Sequence, residues 1–304
     1  MKKYLRNGFL VLLVLLALTA GYIIIVNVVS NGYTSTFKAD KSSKMAIKLD
    51  SVIRKYVKES KFSGSVLVEK NGNILLNEGY GYAKKYLGRV RNTPETKFLL
   101  GSITKTFTAE AVLQLIEEKK LSLDEKVTKY LPEYTGWKDI SIRQLLNHTS
   151  GIPNYYSSVT DYMRYFWGNS TPEKIFSRFK DSPLTNKPGK KFNYSNTNYV
   201  ILGRIIEMVS GESYADYLKK NIFEPLGLKN TGYEVKMGSV KNHALGHCVG
   251  TYVEVPNFNM SNFFGAGCIY STTGFICQRR VLEPREDFLR GAVTPKIPHV
   301  ISNG

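Results

Sequence analysis

Ser102 and Lys105 are the two residues of this 304-residue chain whose types and spacing could do chemistry. They lie in the segment GSITKT, residues 101–106. Residues three apart on a helix share a face, so the Lys105 amine can lie beside the Ser102 hydroxyl. A serine hydroxyl needs a nearby base to become a nucleophile, and lysine acts as that base only when its pKa is lowered. The spacing alone also fits a capping serine with a surface lysine.

A second pair of polar residues, Tyr194 and Asn196, lies directly before a run of helix-forming residues. The phenol can relay a proton, and the amide can hold a substrate carbonyl. Two further blocks complete the set of motifs. The segment LLNHTSGIP covers residues 145–153, and the glycine-rich segment FGAGCIYSTT covers residues 264–273. These four blocks together are far more specific than the Ser-x-x-Lys spacing alone.

In their order and spacing, the four blocks resemble the penicillin-binding-protein and class C β-lactamase superfamily of serine hydrolases, over roughly residues 45–275. The resemblance implies that Ser102 is acylated and that Lys105 and Tyr194 share the general-base work. It also implies that Asn196 contacts the substrate amide, and that no metal or organic cofactor takes part. The implied substrates are β-lactams, D-alanyl peptides of the peptidoglycan type, or esters. The alternative is a non-catalytic penicillin sensor, or an inactive relative that binds cell-wall peptides.

Other reaction chemistries find less support in the sequence. We assign Asn147 and His148 to a structural turn, because lysine-based acyl transfer needs no histidine base. The Gly-x-Ser-x-Gly elbow of another hydrolase class is absent. His243 and His247 have helical spacing but lack the glutamate of a zinc-protease motif, so we expect no metal site.

One family motif has no match in this chain. The family carries Lys-Thr-Gly or His-x-Gly on a strand well after the glycine-rich segment, whereas no such tripeptide follows Thr273 here. That strand also supplies part of the oxyanion hole. We therefore expect the C-terminal sheet strands to be missing from this chain, which would make it a poor catalyst of marginal stability.

The elements that position these motifs follow from hydrophobic periodicity. Apolar residues predict an amphipathic helix over 45–56 and a longer helix over Leu99–Lys120 that carries Ser102 and Lys105. Two β-rich runs, 65–70 and 73–77, flank Asn-Gly and predict a hairpin. Further helices are predicted over Ile142–Asn147, Thr171–Phe179, Tyr199–Val209 and Tyr214–Ile222. The predicted fold class is α/β (α+β), an antiparallel sheet flanked by helices with a helical insertion lobe.

The N-terminus predicts a membrane segment. Lys2, Lys3 and Arg6 precede the apolar stretch Phe9–Val29, and about twenty apolar residues match a bilayer core. An uncleaved single-pass anchor is favoured over a cleaved signal, which would leave the protein secreted; either places the rest of the chain outside the cell. The predicted organisation is a membrane segment over 1–30, a linker over 31–44 and a hydrolase domain over 45–304.

The composition of the chain indicates which kinds of partner it can bind. The net charge is +17, from 42 Lys and Arg against 25 Asp and Glu, and it favours anionic surroundings such as membrane lipid or cell-wall polymer. The basic residues are scattered and match no nucleic-acid-binding motif, so no nucleic-acid partner is expected. The three cysteines, Cys248, Cys268 and Cys277, match neither a disulfide framework nor a zinc site, and a single bridge outside the cytoplasm stays open without an assigned pair.

Overall fold

The computed structural model describes residues 43–70, 73–84, 89–155, 171–177, 182–234, 239–246 and 259–273. The chain forms two compact units. The described part of the first unit consists of residues from 43 to 97 together with 241–246 and 272–273. The described part of the second consists of residues from 98 to 240 together with 259–271.

The described part of the first unit contains one helix and two antiparallel strand pairs. Helix α1 spans Lys44–Lys58, and the Ser43 side chain caps it by accepting a hydrogen bond from the Ala46 N–H. The strands are β1, β2, β3 and β4, over Gly64–Lys70, Asn73–Tyr80, Tyr82–Lys84 and Val90–Arg91. Strand β1 pairs with β2, and β3 pairs with β4. The predicted hairpin is therefore confirmed, although its Asn-Gly turn lies outside the described residues.

A buried polar cluster joins helix α1 to strand β2. The Asp50 carboxylate accepts hydrogen bonds from Arg54 Nε at 2.5 Å and from the Tyr80 hydroxyl at 2.8 Å. The Tyr80 side chain is fully buried. Burial and the bond to Asp50 raise the pKa of the Tyr80 phenol. A buried carboxylate needs such partners, because an unpaired buried charge is costly. The cluster therefore fixes the helix on the hairpin.

The second unit combines a three-stranded antiparallel sheet with helices. Its strands β5, β6 and β7 span Phe98–Leu99, Gly232–Tyr233 and Ile269–Ser271, in the spatial order β5-β7-β6. Its helices are α2 Thr104–Glu117, α3 Ile142–Leu146, α4 Pro172–Phe176, α5 Asn196–Ser210, α6 Tyr214–Leu218 and α7 Phe264–Gly267. Short 3₁₀ turns lie at Gly101–Ile103, Val127–Lys129, Thr135–Trp137 and Met260–Asn262, and a π-helical turn at Lys219–Phe223.

The predicted helix over Leu99–Lys120 is wrong at its beginning. Phe98 and Leu99 form strand β5, which pairs with β7, and the Leu100 N–H donates to the Ile269 carbonyl. A partner about 170 residues away in the sequence thus overrides the local helical periodicity. Helix α2 begins only at Thr104, after the 3₁₀ turn. Helix α2 packs against α5 and α7, with Phe107, Ala111 and Leu115 in the core, whereas Ile103, which the periodicity places on the same face, is exposed.

Several predictions fall on residues that the structure does not describe. The predicted anchor Phe9–Val29, most of the linker, Cys248, Cys277 and the chain after Thr273 all lie outside the described residues. Among the residues that the structure does describe, no helix has the length and apolar character needed to span a bilayer. The membrane segment, the domain boundaries and the missing C-terminal strands therefore stay predictions.

Candidate active site

Ser102 lies exposed in the 3₁₀ turn between strand β5 and helix α2. Gly101, just before it, has a φ of +54°, a left-handed conformation that glycine adopts without a Cβ penalty. The strand ends in the sheet, the chain turns sharply, and the serine is presented ahead of a 14-residue helix. The Gly-Ser-x-x-Lys sequence fits this turn, because glycine takes the left-handed position before the serine. Ser102 itself precedes helix α2 and does not lie within it.

Lys105 is buried in the first turn of α2, with 6% of its surface exposed. Its Nζ donates three hydrogen bonds: to Ser102 Oγ at 3.2 Å, to Asn196 Oδ1 at 2.8 Å and to the Ala266 carbonyl at 2.9 Å. All three acceptors are neutral, and within the described chain no carboxylate forms an ion pair with it. Burial lowers the pKa of Lys105 to about 8. Desolvation without a counter-charge therefore brings this amine close to the neutral form that can act as a base.

The glycine-rich segment brings the Ala266 carbonyl to this amine. Helix α7 packs closely on α5, where a Cβ on Gly203 would lie 2.6 Å from the Phe264 ring and one on Gly265 would lie 2.5 Å from the Tyr199 carbonyl. The Thr108 hydroxyl donates to the Gly265 carbonyl at 2.7 Å and ties the same segment to α2. These glycines thus allow two backbones to approach closely enough to enclose Lys105.

Tyr194 completes the contacts of the serine. Its hydroxyl oxygen lies 2.9 Å from Ser102 Oγ, and its ring centroid lies 5.0 Å from Lys105 Nζ. The side chain is 42% exposed, so the phenol faces solvent on the same side as the serine. The predicted proximity of Ser102, Lys105 and Tyr194 is therefore confirmed as geometry.

Asn196 is the first residue of α5 and is buried. Its Oδ1 accepts from Lys105 Nζ, while its main-chain N–H and its Nδ2 donate to Asn154 Oδ1 at 3.0 and 3.1 Å. The amide is thus oriented with its oxygen toward the lysine. Its predicted contact with a substrate amide stays a prediction.

Sequence reasoning missed two residues of this site. Asn154 orients Asn196, and His148 packs on Tyr194 with ring centroids 4.5 Å apart. The assignment of His148 to a turn is confirmed, since it has a φ of +58°, and Asn147 Oδ1 accepts from the Thr149 N–H and hydroxyl. Their place in the sequence is the signal that could have found them. His148 lies within the LLNHTSGIP block and Asn154 directly follows it, and the structure brings this block against the Tyr194 segment.

Comparison with known proteins identifies the family. A family model described as Beta-lactamase matches residues 49–278, so the chain belongs to the β-lactamase family, whose penicillin-binding relatives it was predicted to resemble. The chain is 34% identical over 223 residues to the teichoic acid D-alanine hydrolase of Staphylococcus aureus, covering 72% of this chain and 54% of that protein. It thus spans about half the length of the curated relatives that it matches.

Solved structures show the same fold. The crystal structure of FmtA from Staphylococcus aureus aligns with a TM-score of 0.65 at 30% identity, over 81% of this chain and 66% of that one. The octameric penicillin-binding protein homologue from Pyrococcus abyssi aligns with a TM-score of 0.66 at 34% identity, over 77% and 55%. The predicted fold class is therefore confirmed, as a mixed α/β fold with small antiparallel sheets and helices.

Proposed function

We propose that this protein is a serine hydrolase that acts on ester or amide bonds through an acyl-enzyme on Ser102. The observation that carries this proposal is the position of Ser102 Oγ, which lies 3.2 Å from the Lys105 amine and 2.9 Å from the Tyr194 hydroxyl. A serine becomes a nucleophile when a base with a suitable pKa lies within hydrogen-bond reach, and Lys105 has a pKa of about 8.

The reaction then runs in two halves. Neutral Lys105, directly or through Tyr194, takes the Ser102 proton as Oγ attacks the substrate carbonyl. The tetrahedral intermediate collapses to the acyl-serine, and the relay returns the proton to the leaving oxygen or nitrogen. Water then attacks the ester, loses its proton to the same relay, and Ser102 leaves as the alcohol. We expect the positive end of the α2 dipole, next to Ser102, to favour the negative charge of the oxyanion.

For the substrate we propose a D-alanyl ester or amide, with β-lactams and D-alanyl peptides as the alternatives. Support comes from the relative named as a teichoic acid D-alanine hydrolase, which is 34% identical to this chain. The net charge of +17 is also suited to an anionic polymer that carries such esters.

The first test is covalent labelling and turnover with the full chain. Wild type, Ser102→Ala and Ser122→Ala are incubated with a D-alanyl ester, its L-alanyl enantiomer, a D-alanyl-D-alanine peptide and a fluorescent penicillin. Ser122 is an exposed serine outside the site and serves as the matched control. We expect wild type and Ser122→Ala to hydrolyse the D-alanyl ester, whereas Ser102→Ala is inactive and carries no acyl group by mass spectrometry.

The remaining outcomes separate the alternatives. Penicillin labelling at Ser102 without turnover of any substrate would identify a sensor. Turnover confined to the peptide would replace the ester proposal. Equal hydrolysis by wild type and Ser102→Ala would refute the nucleophile assignment.

We also propose that the hydrolase is held at the outer face of the cell membrane by Phe9–Val29. The support is the apolar length of this segment after Lys2, Lys3 and Arg6. Mass spectrometry of protein extracted from membranes tests it. We expect an intact N-terminus, and a mature chain that begins at Gly21 or later would indicate a cleaved signal instead.

A further inference from the structure

His148 contacts three consecutive residues of the segment that carries the candidate proton relay. Its main-chain carbonyl accepts from the Asn193 N–H at 2.8 Å, and its Nδ1 accepts from the Ser195 N–H at 3.2 Å. Between these two bonds, its ring packs on the ring of Tyr194 at a centroid distance of 4.5 Å and an angle of 33°. His148 thus holds the residues on either side of Tyr194 through hydrogen bonds, and it holds the Tyr194 ring through ring packing.

His148 has a left-handed backbone conformation and a buried side chain. Its φ of +58° is costly for a residue with a Cβ, so the surrounding structure must enforce it. The side chain is buried, with the Tyr199 ring 5.1 Å away on centroids and the Phe192 ring 5.9 Å away. Burial and the nearby Lys105 charge lower the pKa of His148 to about 4, so the imidazole is neutral at neutral pH. Only a neutral imidazole has the free lone pair with which Nδ1 accepts a hydrogen bond.

We propose that His148 is the positioning residue for Tyr194, and that it holds the phenol oxygen within hydrogen-bond distance of Ser102 Oγ. This inference rests on the proposed function, since it gives a role to the relay on which that function depends. His148 is not itself the base, because Nδ1 is already the acceptor of the Ser195 N–H. Its effect passes through Tyr194, whose hydroxyl lies 2.9 Å from the serine.

The first experiment measures acylation in a double-mutant cycle of His148→Gly with Tyr194→Phe. Glycine accepts the positive φ and removes the imidazole, and misplacing a reacting group by about 1 Å costs roughly 100-fold in rate. We expect His148→Gly to slow acylation by about that factor in the wild-type background, and by less than about threefold when the Tyr194 hydroxyl is already absent. A residue that acts only through general stability would slow both backgrounds equally, and that result would overturn the inference.

Two variants control for the backbone and for the hydrogen bond. Lys119 lies exposed in the turn that follows α2 and has the same φ of +58°, so Lys119→Gly introduces a matched glycine away from the site and should leave the acylation rate unchanged. His148→Asn tolerates a positive φ and places a carbonyl oxygen near the position of Nδ1. It should recover part of the rate lost in His148→Gly. A His148→Asn rate no higher than that of His148→Gly would count against the role of the Ser195 hydrogen bond.

A second measurement separates this inference from the proposed function. Amide hydrogen exchange is followed at Asn193 and Ser195 in wild type and His148→Gly, and it requires no substrate. Both variants keep the main-chain carbonyl that accepts from Asn193, whereas only wild type has the acceptor for Ser195. We expect exchange to accelerate at Ser195 and not at Asn193. Unchanged exchange at Ser195 would overturn the positioning role even if Ser102 is acylated, whereas faster exchange in a chain that Ser102 never acylates would refute only the proposed function.

Discussion

Asp50 in the first unit and Lys105 in the second are both buried ionisable side chains, but the charges of their neighbours differ. Asp50 accepts from the positively charged Arg54 and from the Tyr80 hydroxyl. Among the residues that the structure describes, Lys105 donates only to neutral oxygens. An opposite charge favours the ionised form of a buried group, whereas burial among neutral groups favours the uncharged form.

This difference separates a structural charge from a reactive one. The carboxylate of Asp50 is paired with Arg54 and bonded to Tyr80, and these contacts hold α1 on β2. The amine of Lys105, with a pKa of about 8, can lose its proton near physiological pH. Burial alone therefore marks neither group as functional, and what distinguishes the two is whether an opposite charge lies beside the buried group.

The largest expected effect is that of removing the Lys105 amine. Lys105→Ala should slow acylation of Ser102 by about 10³- to 10⁴-fold, the upper range for loss of a general base. Initial acylation rates measure it, with Lys138→Ala as the control because that lysine is exposed and remote from the serine in sequence. A Lys105→Ala rate above a tenth of wild type would show that the amine is not the base.

The pH dependence of acylation should report the same amine. The base is the neutral form, whose fraction rises with pH, so the rate should increase through a midpoint of about 8 and then level off. Well below the midpoint the rate should fall about tenfold per pH unit, which amounts to roughly 50-fold between pH 8 and pH 6. Melting temperatures over the same range exclude unfolding as the cause. A constant rate from pH 6 to pH 9 would contradict this assignment.

Asn196→Asp should make Lys105 resemble the paired charge of the first unit. It would place a carboxylate where the amide oxygen now lies, 2.8 Å from Lys105 Nζ, and so raise the pKa of the amine. The midpoint of the pH profile should move upward by about one unit or more, which lowers the acylation rate at pH 8 by about fivefold or more. Asn196→Ala removes the amide without adding charge, so its midpoint should not rise. Equal midpoints in the two variants would argue against the charge effect.

The smallest effect is expected in the first unit. Asp50→Asn keeps an acceptor for the Tyr80 hydroxyl but loses the charge that faces Arg54, whose side chain is 28% exposed. Because water partly replaces the lost pair, the free energy of unfolding should fall by only about 1 kcal/mol. Urea denaturation measures this change, and the acylation rate should stay within about twofold of wild type. A large loss of acylation with unchanged stability would contradict the conclusion that Asp50 is structural and only Lys105 is reactive.

Much of the fold and the central pair of the site could be predicted from local patterns. The hairpin β1–β2, helix α1 and helix α5 follow from alternation, helical periodicity and an Asn-Gly turn, which act over a few residues. The Ser102–Lys105 spacing likewise depends on one helical turn. The beginning of α2 could not be predicted, because Phe98 and Leu99 pair with a strand at Ile269–Ser271, far away in the sequence.

Residue types and local spacing, by themselves, determined which side chains could supply a nucleophile, a base and a relay. Only the tertiary structure decided that Lys105 is buried, that the Ala266 carbonyl from a segment 161 residues away reaches its amine, and that His148 and Asn154 orient Tyr194 and Asn196. The reason is physical. A pKa depends on desolvation and on the charges within a few ångströms, and those neighbours come from parts of the chain that meet only when it folds.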